Sequence, residues 1–316
     1  EKTLEQKPTR DGYGTGLVKV GAKNKNVVAL CADLTESTRT QAFAEKFPAR
    51  FFECGVAEQN MACVAAGLAI SGKIPFIASY ATFSPGRNWE QIRTTIAYNN
   101  ANVKIMGHHA GVSVGPDGAT HQMTEDIALM RALPNMRVIV PCDAVEAEKA
   151  VLASAHIVGP VYIRFAREKS PVFTTDASPF IPSKVQIVWE SHKPQVAIIA
   201  CGPILHNALQ AARLLERDGV QSVVVNCHTV KPLDEKKITD LAKKYGAVVT
   251  AEEHQVAGGI GGAVAEFLAR THPVPMEFIG MHDTFGSSGA PEKLSVKYGM
   301  DVQSIVVAAK KVVARK

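Results

Sequence analysis

Residues 50–70 read RFFECGVAEQNMACVAAGLAI. A short apolar run, Arg50–Glu53, gives way at Gly55 to a stretch in which Ala57, Met61, Val64, Ala65 and Leu68 recur at the spacing of one helix face. A strand passing at once into a helix is half of a βαβ unit, and the same alternation extends in both directions. Strands are predicted at Asn26–Cys31, Arg50–Glu53, Ile74–Tyr80, Val103–Gly107, Arg137–Pro141 and Val161–Phe165. Helices are predicted between them at Gln41–Phe47, Ala57–Ile70, Asn88–Tyr98, Thr124–Leu133 and Ala144–Ala155. Periodicity stops over 168–194, where Pro171, Pro179, Pro182 and Pro194 fall, and then resumes. The later strands are Val196–Ala200, Gln221–Asn226, Ala247–Ala251 and Met276–Ile279, with helices Leu205–Asp218, Asp234–Tyr245, Gly262–Arg270 and two more from about Pro291. The expected fold is α/β, with two doubly wound domains of mainly parallel sheets at 1–170 and 192–316, joined by a linker at 171–191.

Composition narrows the function classes. The chain of 316 residues carries a net charge of +5 with acidic and basic residues interspersed, and no Lys/Arg run with interleaved aromatics, which argues against a nucleic-acid surface. Cys31, Cys54, Cys63, Cys142, Cys201 and Cys227 form no CxxC pair and no zinc spacing, so reduced thiols are expected. Apolar runs are much shorter than the ~20 residues of a spanning helix, and no signal-peptide pattern opens the chain. A cytoplasmic protein without membrane or nucleic-acid partners is expected.

Two segments carry candidate chemistry. Glu58 stands where a helix begins; it either favours the positive helix end or is a half-buried carboxylate that hydrogen-bonds a ring nitrogen. The stretch His108–Gln122, HHAGVSVGPDGATHQ, follows a buried strand and holds three histidines and Asp117. Ligands bind beyond the carboxyl ends of such strands, although an ordinary turn at Asp117–Gly118 would also fit. The spacing matches no metal template. Downstream, AGGIGG at 257–262 precedes a helix and either cradles an anion or permits a tight turn.

The segments GVAEQNM, GHHAGVSVGPDGATHQ, HTVKPLD and AEEHQVAGGIGGAV resemble the transketolase family, in the family's order and over essentially the whole chain. The resemblance implies a pyrimidine-binding domain followed by the transketolase C-terminal domain. It implies that Glu58 hydrogen-bonds the aminopyrimidine ring of thiamine diphosphate, so that the opposite imino nitrogen can take the thiazolium proton. Tyr80 and Phe83 match residues packing against that ring. Arg10, Ser37, His109 and Arg167 match sugar-phosphate anchors, with Arg164 a rival for Arg167 and helix capping a rival role for Ser37. Asp117 and His121 match groups that contact sugar hydroxyls, His121 being also a candidate for proton transfer. No catalysis is assigned to the C-terminal domain.

One family motif is missing. Gly-Asp-Gly followed by Asn, which holds the diphosphate and Mg²⁺, is not found in this chain, so no metal-binding residue is assigned here. The resemblance therefore implies the C-terminal subunit of a split transketolase. Its partner would be an N-terminal subunit carrying that motif, in an α2β2 assembly acting on sugar phosphates, and the chain alone would be inactive and a dimer at most. The alternatives are the β subunit of a 2-oxoacid dehydrogenase, half of a deoxyxylulose-phosphate-synthase-like enzyme, or a non-catalytic scaffold paralogue.

Overall fold

The first sheet orders seven strands as Thr229–Lys231, Arg137–Ile139, Val161–Arg164, Lys104–His108, Ile74–Tyr80, Val27–Cys31 and Phe51–Glu53. Every neighbouring pair is parallel except the first, which is antiparallel. This computed structural model describes residues 4–316. Val27–Cys31 and Lys104–His108 are buried at every position, as strands covered on both faces must be. The second sheet has five strands, in the order Met276–Met281, Val248–Gln255, Val196–Ala200, Ser222–Asn226 and Gln186–Glu190, only the last running antiparallel to its neighbour. The α/β, mainly parallel architecture expected from the sequence is what forms.

Besides an unexpected two-stranded sheet of Gln6–Lys7 with Ser170–Pro171, two strands of the main sheets depart from the sequence-based expectation, both at sheet edges. Gln186–Glu190 lies inside the segment read as a linker, yet it pairs with Ser222–Asn226. Thr229–Lys231 leaves the second sheet and closes the edge of the first, tying the two halves together. Short edge strands flanked by prolines carry little periodicity, so nothing in their sequence announces them.

A larger departure is helix Thr9–Lys23, TRDGYGTGLVKVGAK, which the periodicity does not predict. Four glycines weaken it by roughly 1 kcal/mol each relative to alanine. They serve packing instead: a Cβ at Gly12 would overlap the carbonyl oxygen of Ala144, and one at Gly16 would lie 2.9 Å from the Val151 Cβ. The helix thus presses its backbone against helix Ala144–Ser154, burying Tyr13 and Leu17 completely. Its first residue is pinned as well, because the backbone N–H of Ala166 donates to the Thr9 hydroxyl at 2.8 Å. Arg10 is held in place by these contacts.

Gly12→Ala discriminates packing from propensity. Helix propensity alone favours alanine by about 1 kcal/mol, whereas overpacking against Ala144 costs about 1–3 kcal/mol. Denaturant unfolding of Gly12→Ala is expected to show a net loss of stability; a gain would contradict this account of the helix contact.

Candidate active site

Glu58 opens helix Glu58–Ile70 and is 1% exposed, more deeply buried than the sequence suggested. Its Oε2 accepts from Arg87 Nη1 at 2.8 Å, and Asn88 Nδ2 donates to its backbone carbonyl at 3.0 Å. Among the described residues no donor is bound to Oε1. The Arg87 guanidinium lies 4.7 Å from the centre of the Phe83 ring. Phe83 stacks with Tyr80 at 6.0 Å, and Tyr80 in turn lies 3.8 Å from the His109 ring. His121 meets Phe83 and Tyr80 edge-on at 5.6 and 6.2 Å. A continuous line of contacts therefore runs from Glu58 through Arg87, Phe83 and Tyr80 to His109. Arg87 is the member that sequence reasoning missed, since it lies in the turn ahead of helix Trp89–Gln91, where no periodicity applies.

His109 is the far end of this line. Its left-handed backbone, φ +53°, follows directly on a buried strand. Arg10 Nη1 donates to its Nε2 at 2.8 Å and to the Ser37 carbonyl at 3.0 Å. Arginine can only donate, so His109 Nε2 accepts and its proton sits on Nδ1. Burial first, then Arg10 and Arg167, push the His109 pKa down to about 3, keeping the ring neutral at working pH. Arg10 Nε is buried without a partner, and burial and the nearby Arg39 lower the guanidinium from its ordinary value.

A cavity of about 310 Å³ opens here, lined by Arg10, Ser37, Tyr80, His109, Asp117 and Arg167, together with Glu36 and Arg39. All four sequence-nominated phosphate anchors thus share one cavity, with Asp117 beside them. Arg167 donates to the Val114 carbonyl at 2.9 Å and reaches Asp117 at 3.4 Å. Arg164, its rival, is spent elsewhere: Nε contacts Asp126 Oδ2 at 2.9 Å in the interior, where the Tyr162 hydroxyl also donates to Asp126 at 2.6 Å. Ser37 does not cap the next helix, whose first flanking residue is Thr40. His108, adjacent to His109, is a core residue sandwiched between Tyr13 and Phe165.

The C-terminal domain supports the loop carrying these groups. Glu253 accepts from the Ser113 backbone N–H and from its hydroxyl. Gln122 Nε2 donates to the carbonyls of Val112, Gly115 and Ser287. The glycine run at 257–262 holds no external anion: Glu252 accepts from the N–H groups of Ile260 and Gly261 at 2.7 and 2.8 Å, filling the helix end with the chain's own carboxylate. Among the described residues no helix is long and apolar enough to cross a membrane.

A two-domain parallel α/β chain with a buried carboxylate, an aromatic pair and an arginine-lined cavity at the strand ends has the layout of the thiamine-diphosphate enzymes' pyrimidine half. The chain belongs to the transketolase family: residues 5–172 match its pyrimidine binding domain and residues 183–305 its C-terminal domain. Within the family it corresponds to the C-terminal subunit of split transketolases. It is 44% identical to a transketolase C-terminal section of Methanocaldococcus jannaschii, over 95% of this chain and 94% of that one. It is 39% identical, over 100% of this chain and 98% of the other, to a 6-deoxy-6-sulfo-D-fructose transketolase subunit of a Clostridium species. A solved split-gene transketolase, described as an inactive β4 tetramer, superposes with a TM-score of 0.90 at 45% identity, covering 97% of this chain and 98% of that one.

The neutral His109 predicts an acid-sensitive fold. Its folded pKa, about 3, lies below the ordinary value near 6.5, so the unfolded chain takes up the extra proton and stability falls as pH drops below about 6.5. The slope is at most about 1.4 kcal/mol per pH unit for one such group. Buried Glu252, pushed up to about 7 chiefly by desolvation, contributes with the opposite sign, so the variant must be compared with the native chain. Denaturation at pH 7, 6 and 5 is expected to show a flatter acid limb for His109→Gln. Parallel limbs would show that His109 is not held neutral.

Proposed function

We propose that this chain supplies the ring-binding and substrate-anchoring half of a transketolase active site, transferring a two-carbon ketol unit between sugar phosphates. The observation carrying the proposal is the unbroken line from buried Glu58, through Arg87, Phe83 and Tyr80, to His109 and Arg10. The residues fit the ring end of thiamine diphosphate: a carboxylate whose Oε1 is unengaged among the described residues is joined through Arg87 to two flat aromatic faces. When bound, that cofactor supplies the nucleophilic carbon and the electron sink. The chain's residues do the rest. Glu58 shares a proton with the ring nitrogen, and Tyr80 and Phe83 orient the ring. Arg10, whose guanidinium contacts no carboxylate among the described residues, takes the anionic end of the substrate, with Ser37, His109 and Arg167 around it. Asp117 and His121 face the sugar hydroxyls, and His121 moves a proton to the developing alkoxide.

The diphosphate and Mg²⁺ fall to an N-terminal subunit carrying the Gly-Asp-Gly…Asn motif, in an α2β2 complex. An apolar surface behind Glu58 supports association. Helix Glu58–Ile70 is apolar on nearly all sides, yet Ile70 is 73% exposed, with Val56 beside the helix start at 70%. The solved relative is described as an inactive β4 tetramer, which supports self-association of this chain and favours a tetramer over the dimer expected for it alone.

Co-purification with the N-terminal subunit should restore transfer from xylulose 5-phosphate to ribose 5-phosphate, the isolated chain remaining inactive. In that complex Glu58→Ala is expected to lower kcat about 10²–10⁴-fold, the usual weight of a positioned proton-transfer group. Turnover of pyruvate with a dithiol acceptor, in place of the sugar reaction, would instead identify a 2-oxoacid dehydrogenase subunit.

A further inference from the structure

Arg39, which lies outside every family segment used above, lines the same cavity as Arg10. Its backbone is left-handed, φ +67°, a conformation that costs non-glycine residues energy. The strain is supported from helix Thr9–Lys23. Gly14 offers no side chain, so the Arg39 Cβ and carbonyl oxygen can lie 2.9 Å from where a Cβ would be. Asp11 Oδ1 accepts from Arg39 Nε at 2.8 Å. The consecutive pair Arg10–Asp11 therefore contributes one guanidinium directly and tethers a second by its carboxylate.

Charge within the cavity is unevenly compensated. Arg167 has Asp117 at 3.4 Å and Glu168 at 3.6 Å, and Arg39 has Asp11, but among the described residues Arg10 has no carboxylate within ion-pair distance. The Nη2 groups of Arg10 and of Arg39 both lack a protein acceptor among the described residues. Glu36 also lines the cavity but makes no ion pair with these arginines among the described residues, which leaves Arg10 as the unpaired cation to match a single negative charge. A doubly charged group can engage a second fork, and bidentate contacts of this type are the strong ones. Resting on the reading of this cavity as the anion end of the substrate site, we propose that Arg39 is a specificity-determining residue that selects a phosphate dianion over a singly charged sulfonate.

The test titrates the full-length chain with inorganic phosphate and, separately, with methanesulfonate at pH 7.5, following phosphate by ³¹P NMR and both anions by calorimetry. Wild type is expected to prefer phosphate. Arg10→Ala should weaken both anions. Arg39→Ala should weaken phosphate about tenfold, the scale of one lost charge-assisted contact, and leave methanesulfonate nearly unchanged. Asp11→Asn keeps the guanidinium but removes its tether, so it should lower the phosphate preference without loss of fold. If Arg10→Ala weakens binding while Arg39→Ala and Asp11→Asn both bind phosphate like wild type, the role of Arg39 is refuted and the cavity reading stands. If the native chain binds neither anion, or Arg10→Ala binds like it, the cavity reading itself fails.

Discussion

The contact between two helix backbones, Thr9–Lys23 on Ala144–Ser154, governs the rest of the site. Nothing bulkier than a hydrogen at Gly12 and Gly16 permits it. A helix held that close has little freedom to slide, and its first turn consequently sets where Arg10 lies relative to His109. The same turn offers Asp11 to Arg39. A weak helix former thus becomes a precise carrier of charge. Local propensity is given up so that tertiary packing can take over, a conflict between levels of the kind found near functional sites.

The second constraint is electrostatic. Arg164 and Asp126 are almost fully buried, with the Tyr162 hydroxyl completing the carboxylate's partners. Arg164 also donates to the carbonyls of Met123 and Glu253, which belong to different domains. Breaking such a group would strand a charge in the interior, so the pair stays whole and the domains stay registered. Glu253, beside it, then grips Ser113 at the root of the loop that follows strand Lys104–His108. The C-terminal domain brings no group to the cavity described here, yet the loop bearing His109, Asp117 and His121 rests on it.

These two supports make the division of labour intelligible. One end of the site is apolar and aromatic around a buried carboxylate, suited to a heteroaromatic ring. The other is rich in guanidinium groups and a neutral imidazole, suited to an anion. His109 links them because its depressed pKa leaves Nε2 as an acceptor for Arg10 while its ring face contacts Tyr80. A protonated His109 would repel Arg10 and open the joint.

By itself the amino-acid order determined the alternation of strands and helices, the parallel sheets, the placement of Glu58 at a helix start and the candidate residues around the anion cavity. The elements and the position of Glu58 are local, expressed by apolar periodicity within a few residues, whereas Arg10, Ser37, His109 and Arg167 were nominated through the family resemblance. Only the tertiary structure decided that Thr9–Lys23 is a helix, that Gln186–Glu190 and Thr229–Lys231 are strands, that Glu252 fills the glycine-rich helix end, and that Arg87 and Arg39 join the site. Except for the Glu252 contact, which spans eight or nine residues, each of these depends on a partner far away in the chain, from Ala144 for Gly12 to Glu58 for Arg87. Close approach, pairing across an edge and charge compensation are relations between surfaces, and a surface exists only once the chain has folded.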